Sequence, residues 1–348
     1  MTRLRNENIT NGVGLLLLAL ITLVLFLFSL SLGQLHISFS QITGVLFGTN
    51  HDEITRAVVL QSRIPLNITA LIAGASLSVA GLILQTVFRN PLAGPSLLGV
   101  SSGASLGVAI LIMGTGATGL FTGLSTGIWW IKILGAILGS LLVIGVLISF
   151  SSVIRNGVML LILGVMISYL CTSVISLLSY LTTAENLRGF TFWGLGSFAG
   201  VPLSRLPLFV ILCLSLCIIS LGTIKPLNAF LLGERYAASL GYNIKAIRTF
   251  LLLLSGLLTS IVTAYCGPIG FIGLIVPHIV RICFNTSNHS VVLPASILAG
   301  GAVGILCVIL SNCIVSERVL PVNVVTPLIG VPIIVYIMLR RNKLPYFK

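Results

Sequence analysis

Charge is what this sequence has little of. Only 7% of its 348 residues are Asp, Glu, Lys or Arg, against about 25% in soluble domains. Six are acidic: Glu7, Asp52, Glu53, Glu185, Glu234 and Glu317. With 57% hydrophobic residues, an ordinary globular protein is excluded, and one membrane domain over residues 1–348 is simpler than two soluble ones. No Lys follows a Gly, so the phosphate loop G-x-x-x-x-G-K-[ST] is absent and any nucleotide is bound by another subunit. The net charge of +13 forms no basic stripe with interleaved aromatics, which excludes nucleic acid as a partner. His36, His51, His278 and His289 form no pair at ligand spacing, and the seven Cys nearly all sit inside apolar runs. A metal site is not expected, and the cysteines read as small packing residues.

What the sequence has is length of apolar run. Uncharged stretches cover Gly12–Leu32, Ile64–Phe88, Pro95–Met113, Ile133–Ile154, Gly157–Leu181, Leu206–Thr223, Thr249–Val280, Val291–Val315 and Pro321–Leu339. The first is 21 residues, longer than the roughly 7–15 of a signal-peptide core, so it reads as a span. The stretch Thr249–Val280 has 32 residues, a helix of about 48 Å that overshoots a hydrocarbon core of about 30 Å. Gly267-Pro268-Ile269-Gly270 in its middle predicts a break into two legs. The expectation is therefore an all-α polytopic helix bundle of about ten transmembrane helices.

With both termini cytoplasmic, the outer side keeps only Arg56, Arg63, Lys132, Arg188, Arg205 and Arg318 of the 19 basic residues, as the positive-inside rule requires. The spacings Gly135/Gly139 and Gly300/Gly304 predict close helix packing. No carboxylate falls at the middle of a span, which disfavours the alternative of an ion-coupled secondary transporter. Gly99-Val100-Ser101-Ser102-Gly103 matches the nucleophile-elbow pattern, but no carboxylate is placed to orient His278 beside it. Helix packing is the expected role there, and no residue is expected to be catalytic.

One cytoplasmic segment, residues 225–248, is too long for a tight connection. Pro226 suits a helix start, Gly233 a stop, Gly241 a left-handed C-cap and Asn243 the next N-cap. The small face of Ala237 and Ala238 is expected to fit a groove on a soluble partner.

The chain resembles the FecCD-like permeases of ABC importers for iron chelates, haem and vitamin B12. The resemblance rests on Arg63-Ile-Pro65, Gly74-Ala75, Gly81, Gln85, Arg89-Asn90-Pro91-Leu92-Ala93-Gly94-Pro95 and Leu98-Gly99. It continues through Leu231-Leu232-Gly233-Glu234 with Ala237 and Gly241, Gly267 to His278, Arg281, Leu320-Pro321 and Val325 to Pro332.

The resemblance implies a multi-pass subunit of the bacterial cytoplasmic (inner) membrane. Its partners would be a second permease, two cytoplasmic ATPases that hold the ATP and Mg, and an extracytoplasmic solute-binding protein. The chain itself would be no enzyme and hold no cofactor. A second copy of this chain is favoured over a different one. The favoured cargo is a ferric siderophore, with haem and cobalamin as the other cases. Leu232, Gly233, Glu234, Ala237, Ala238 and Gly241 would form the segment seated in the ATPase. Arg63 would dock the binding protein, with Arg56 or Arg318 in support. The positions where the family often has further arginines hold Leu66 and Asn312. A cytoplasmic gate maps onto Asn156-Gly157.

Overall fold

In lipid each backbone N–H and C=O must be satisfied within the protein, so the apolar runs become helices. The computed structural model describes residues 2–339 apart from 34, 36, 49–51, 97, 115–124, 152, 155–156 and 315–318. The helices are α1 (Thr2–Ser31), α2 (Phe39–Leu46), α3 (Glu53–Ala57), α4 (Ile64–Val87), α5 (Val100–Ala109), α6 (Ser125–Ser151) and α7 (Gly157–Leu181). They continue as α8 (Ala184–Gly194), α9 (Leu206–Leu221), α10 (Ile224–Leu232), α11 (Glu234–Ser239), α12 (Ile244–Cys266), α13 (Ile272–Phe284), α14 (His289–Cys313) and α15 (Val322–Leu339). No strand occurs among the described residues.

Among the described residues six stretches are long and apolar enough to cross a membrane alone: Asn11–Ser31, Glu53–Val87, Trp129–Ser151, Gly157–Leu181, Ile244–Cys266 and His289–Cys313. The apolar α9 meets α10 at a bend of 55°, and the runs Val100–Met113, Ile272–Phe284 and Val322–Tyr336 are shorter apolar helices. Together these account for the ten expected spans. The second differs in extent, running 35 residues from Glu53 instead of starting at Ile64.

Its continuity has a local cause. Pro65 has no N–H to offer the carbonyl four residues back, and the preceding turn relaxes into a π-helix over Val58–Arg63, with Ile64 N donating to Val59 O.

The buried centre is α4, α12 and α14, in which 72–78% of the best 18-residue window is enclosed, against 17% in α1 and α7. Glycine sets the closeness of these contacts. Gly74 faces Gly300 and Gly304 across the α4–α14 seam, while Gly103 and Gly107 face Gly139 and Gly135 across α5–α6. A Cβ at any of Gly74, Gly107 or Gly139 would overlap a carbonyl oxygen of the opposite helix, so both small-residue spacings serve packing. Gly103 in that seam also places the Ser101 motif in a helix interface. Five of the seven cysteines are buried, and Cys283 and Cys313 are exposed.

Pro277 has a comparable effect in α13. It lacks the N–H that would take the Gly273 carbonyl, and that carbonyl instead lies against Gly81 of α4.

Candidate functional site

Three places concentrate the polar and motif-bearing residues: the cytoplasmic segment α10–α11, an outer pocket, and the break between α12 and α13.

In the cytoplasmic segment Gly233 separates α10 from α11 with φ +112, Gly241 takes φ +85, and Asn243 Oδ1 accepts from Ala246 N at 3.1 Å to cap α12. These are the predicted punctuation marks. Pro226 is the third residue of α10, not the first. The helix α10 is fixed to the bundle through Asn228, whose Oδ1 accepts from His289 N at 2.8 Å and whose Nδ2 donates to Asn288 Oδ1 at 2.9 Å. The His289 ring lies 2.9 Å from both Asn228 Oδ1 and Thr86 Oγ1, so α10 is tied to the ends of α14 and α4.

The expected docking face turns out differently. Ala237 is fully buried, packed with Ala229, Phe230, Tyr242, Ile244 and Ile247. Glu234 forms an ion pair with Arg248, the fifth residue of α12, and the Arg248 side chain is buried. What faces outward is Leu232 (65% exposed), Tyr236 (47%) and Leu240 (55%), with Ala238 and Gly241. Tyr236 and Leu240 are one turn apart on α11 and share a face, while Leu232 is the last residue of α10, ahead of the turn at Gly233. Sequence reasoning missed Tyr236 and Leu240, although the i, i+4 spacing between them was there to find.

Close to this segment the polar residues of the motifs hydrogen-bond within the bundle. Gln85 Nε2 donates to Leu274 O at 3.0 Å and Gln85 Oε1 accepts from Arg281 at 2.7 Å, joining α4 to α13. The His278 Nε2 atom lies 2.6 Å from Pro91 O, in the turn after α4. Gly157 starts α7 against Phe88, where an added Cβ would stand 3.4 Å from the Phe88 backbone. Asn156, the other residue of the expected gate, lies outside the described residues.

At the outer end a pocket of about 550 Å³ is bounded by Arg63, Leu66, Phe192, Phe198, Asn312 and Leu320, among others. It therefore gathers the one matching arginine and the two departures from the pattern. Arg63 is 5% exposed. Its guanidinium donates to Leu30 O at 2.6 Å and also to Leu35 O, bracing the connection between α1 and α2. Asn312 Nδ2 donates to Val308 O at 3.0 Å within its own helix. Arg56 is exposed on α3, and Arg318 lies outside the described residues.

Just past the break at Gly267–Phe271, Gly273 of α13 packs against Leu77 and Gly81, well inside α4. The freed backbone groups of the break need partners there, and Asn323 at the start of α15 supplies them. Asn323 Nδ2 donates to Pro268 O at 2.5 Å and Gly194 O at 3.2 Å, and its Oδ1 accepts from Gly270 N at 3.2 Å. Asn323 N donates to Leu195 O, Val322 N to Gly196 O and Ser197 N to Cys266 O. Four elements, α8, α12, α13 and α15, thus meet at one side chain. Phe271 holds φ +68 beside it, with Ile272 N donating to Gly270 O across a tight turn, a conformation that costs about 1–3 kcal/mol for a residue with a side chain.

This architecture has known counterparts. The FecCD transport family matches residues 21–340. A vitamin B12 import system permease protein of Klebsiella pneumoniae is 35% identical over 285 residues, 82% of this chain and 83% of its own. A hemin transport system permease protein of Yersinia pestis is 33% identical over 332 residues, 95% of this chain and 96% of its own. A metal-chelate type ABC transporter in an inward-facing conformation superposes with a TM-score of 0.81 at 30% identity, covering 94% of this chain and 98% of that one. A match over nearly the whole length, in sequence and in fold, means that this multi-pass membrane protein belongs to the FecCD transport family.

Proposed function

We propose that the chain is the membrane-spanning subunit of an ATP-driven importer for a metal chelate, seated in the bacterial cytoplasmic membrane beside a second permease. Two cytoplasmic ATPases, which hold ATP and Mg, drive it, and an extracytoplasmic binding protein delivers the cargo. The observation that carries this reading is the segment α10–α11, a structured cytoplasmic appendage fixed to α4, α12 and α14 and presenting Leu232, Tyr236 and Leu240 outward. A bundle whose spans hold no mid-depth carboxylate needs force applied from outside it, and this appendage is where force can enter.

The partner permease is expected against α7. Its outward face carries Tyr169, Thr172, Ser173, Ser176 and Tyr180, with Tyr169 70% and Tyr180 84% exposed. Hydroxyls along a full helix face suit a hydrated passage between two subunits better than lipid. The relatives named for vitamin B12 and hemin both act on metal-centred macrocycles, so the cargo class is a bulky metal chelate. Within it a ferric siderophore is our first candidate.

The test is uptake of ferric siderophore, haem and cobalamin by cells expressing the chain with its neighbouring partners. Uptake of one cargo that survives a protonophore and stops on ATP depletion supports the reading. Uptake abolished by the protonophore at constant ATP overturns it in favour of ion coupling.

A further inference from the structure

We infer that Glu234 acts inside the chain, as the tie that makes α12 follow the coupling segment, and that the ATPase is met by the apolar face of Leu232, Tyr236 and Leu240. The inference rests on the importer reading above and divides that site into an inner and an outer half.

The inner half begins with backbone geometry. Gly233 at φ +112 turns the chain sharply between α10 and α11, so Glu234 points back toward the bundle. There it meets Arg248 in an ion pair. The Arg248 side chain is buried on the membrane side of the segment, where an unpaired cation is strongly disfavoured. Ala237, three residues after Glu234, is packed flat against Phe230 and Ile247. The carboxylate and the alanine therefore hold α11 to the start of α12; Ala237 is closed to a groove elsewhere, and Glu234, its side chain 35% exposed, is engaged by Arg248.

The outer half has a different chemistry. Leu232, Tyr236 and Leu240 are large and exposed, and they are flanked by exposed Arg235, Ser239 and Lys245. A basic rim at the cytoplasmic end of the bundle faces water, and an apolar stripe there is left for a soluble partner. Of the candidate partners, the occupant is the ATPase, because α10–α11 is the part of the cytoplasmic face that is rigidly connected to three central helices.

The connection runs the length of α12. Arg248 is the fifth residue of α12, and the carbonyl of Cys266, its last residue, accepts from Ser197 N at 2.8 Å beside the Asn323 junction. Moving α11 through the ion pair thus moves the helix that ends at the Gly267–Phe271 break.

The experiment uses the assembled complex purified from native membranes with its ATPase. Native mass spectrometry, ATP hydrolysis and uptake are measured for Glu234→Gln, Arg248→Gln, the single reversals Glu234→Arg and Arg248→Glu, and the double reversal. Copurification by the wild type establishes the importer reading independently of these variants. Glu234→Gln and Arg248→Gln are expected to keep the ATPase at wild-type stoichiometry and its hydrolysis, while uptake per ATP falls about tenfold, equivalent to about 1.4 kcal/mol of coupling. The double reversal is expected to recover uptake that each single reversal loses, which a merely unfolded variant cannot do. Tyr236→Ala with Leu240→Ala is expected to shed the ATPase while thermal stability is retained. The inference is overturned if Glu234→Gln sheds the ATPase while Arg248→Gln keeps it and transports normally. It is equally overturned if the double reversal is no better than the worse single variant, or if the Tyr236 and Leu240 variant keeps its ATPase.

Discussion

The side-chain amide of Asn323 donates to the carbonyl of Pro268 at 2.5 Å, across a sequence separation that spans two further helices. This contact closes the gap that Gly267 and Pro268 open between α12 and α13. Replacing Asn323 by Ala would leave Pro268 O, Gly194 O and Gly270 N without that partner. Each orphaned buried group costs about 1–3 kcal/mol, so the thermal midpoint of detergent-solubilised Asn323→Ala is expected to fall clearly. Asn323→Asp should be worse, since it turns a second oxygen toward the Pro268 and Gly194 carbonyls. A midpoint equal to wild type in both would remove Asn323 from this role.

Backbone contact at Gly81 makes a second expectation. A Cβ there would overlap the Gly273 carbonyl and force α4 from α13, an overpacking cost of about 1–3 kcal/mol or more. The control is Gly145 in α6, where an added Cβ meets nothing within 4 Å and alanine improves helix propensity by about 0.8–1 kcal/mol. Thermal unfolding of the two alanine variants should therefore move in opposite directions.

Arg63 and Arg56 should separate in the same assay. The buried Arg63 guanidinium serves the Leu30 and Leu35 carbonyls, and hydrogen bonds from a charged group are each worth about 1.5–3 kcal/mol. Arg63→Ala is expected to destabilise the protein with no binding protein present, whereas Arg56→Ala, on an exposed position of α3, should leave stability within about 0.5 kcal/mol. Equal midpoints for the two variants would return Arg63 to a purely docking role.

Ser101→Ala should leave chelate uptake unchanged. Gly103, two residues on, faces the Gly139 backbone, and the surrounding motif is a packing surface. Loss of a hydrolytic activity in this variant would revive the nucleophile reading.

The spans were legible because their signal is averaged over about 20 residues, and hydropathy survives errors at the ends. The break was legible too, since Gly-Pro inside an over-long run has few structural alternatives. Legibility failed where the answer depends on direction. An Arg at the outer end of a span reads as a surface charge, and only the π-turn ahead of Pro65 accompanies its inward position. Ala237 and Tyr236 are neighbours in sequence, yet one is buried and the other exposed, because Gly233 sets the rotation of α11. The helix α8 escaped notice because its eleven residues carry mixed polarity and a short helix leaves a weak periodic signal. Asn323 escaped notice because its three partners lie 53–129 residues away.

The thirteen residues of α13 have a consequence for how the protein is made. A helix of that length reaches about 20 Å, short of a hydrocarbon layer of about 30 Å, so it cannot be released into lipid from the translocation machinery by itself. It has to enter with α12 as a hairpin, carrying an open stretch of backbone at Gly267–Phe271. The amide that closes this stretch belongs to Asn323, which the ribosome delivers only after the whole of α14 has been synthesised. Until then the hairpin depends on water or on the insertion machinery to shelter its carbonyls, and a chain ending before α15 is left as a target for membrane quality control.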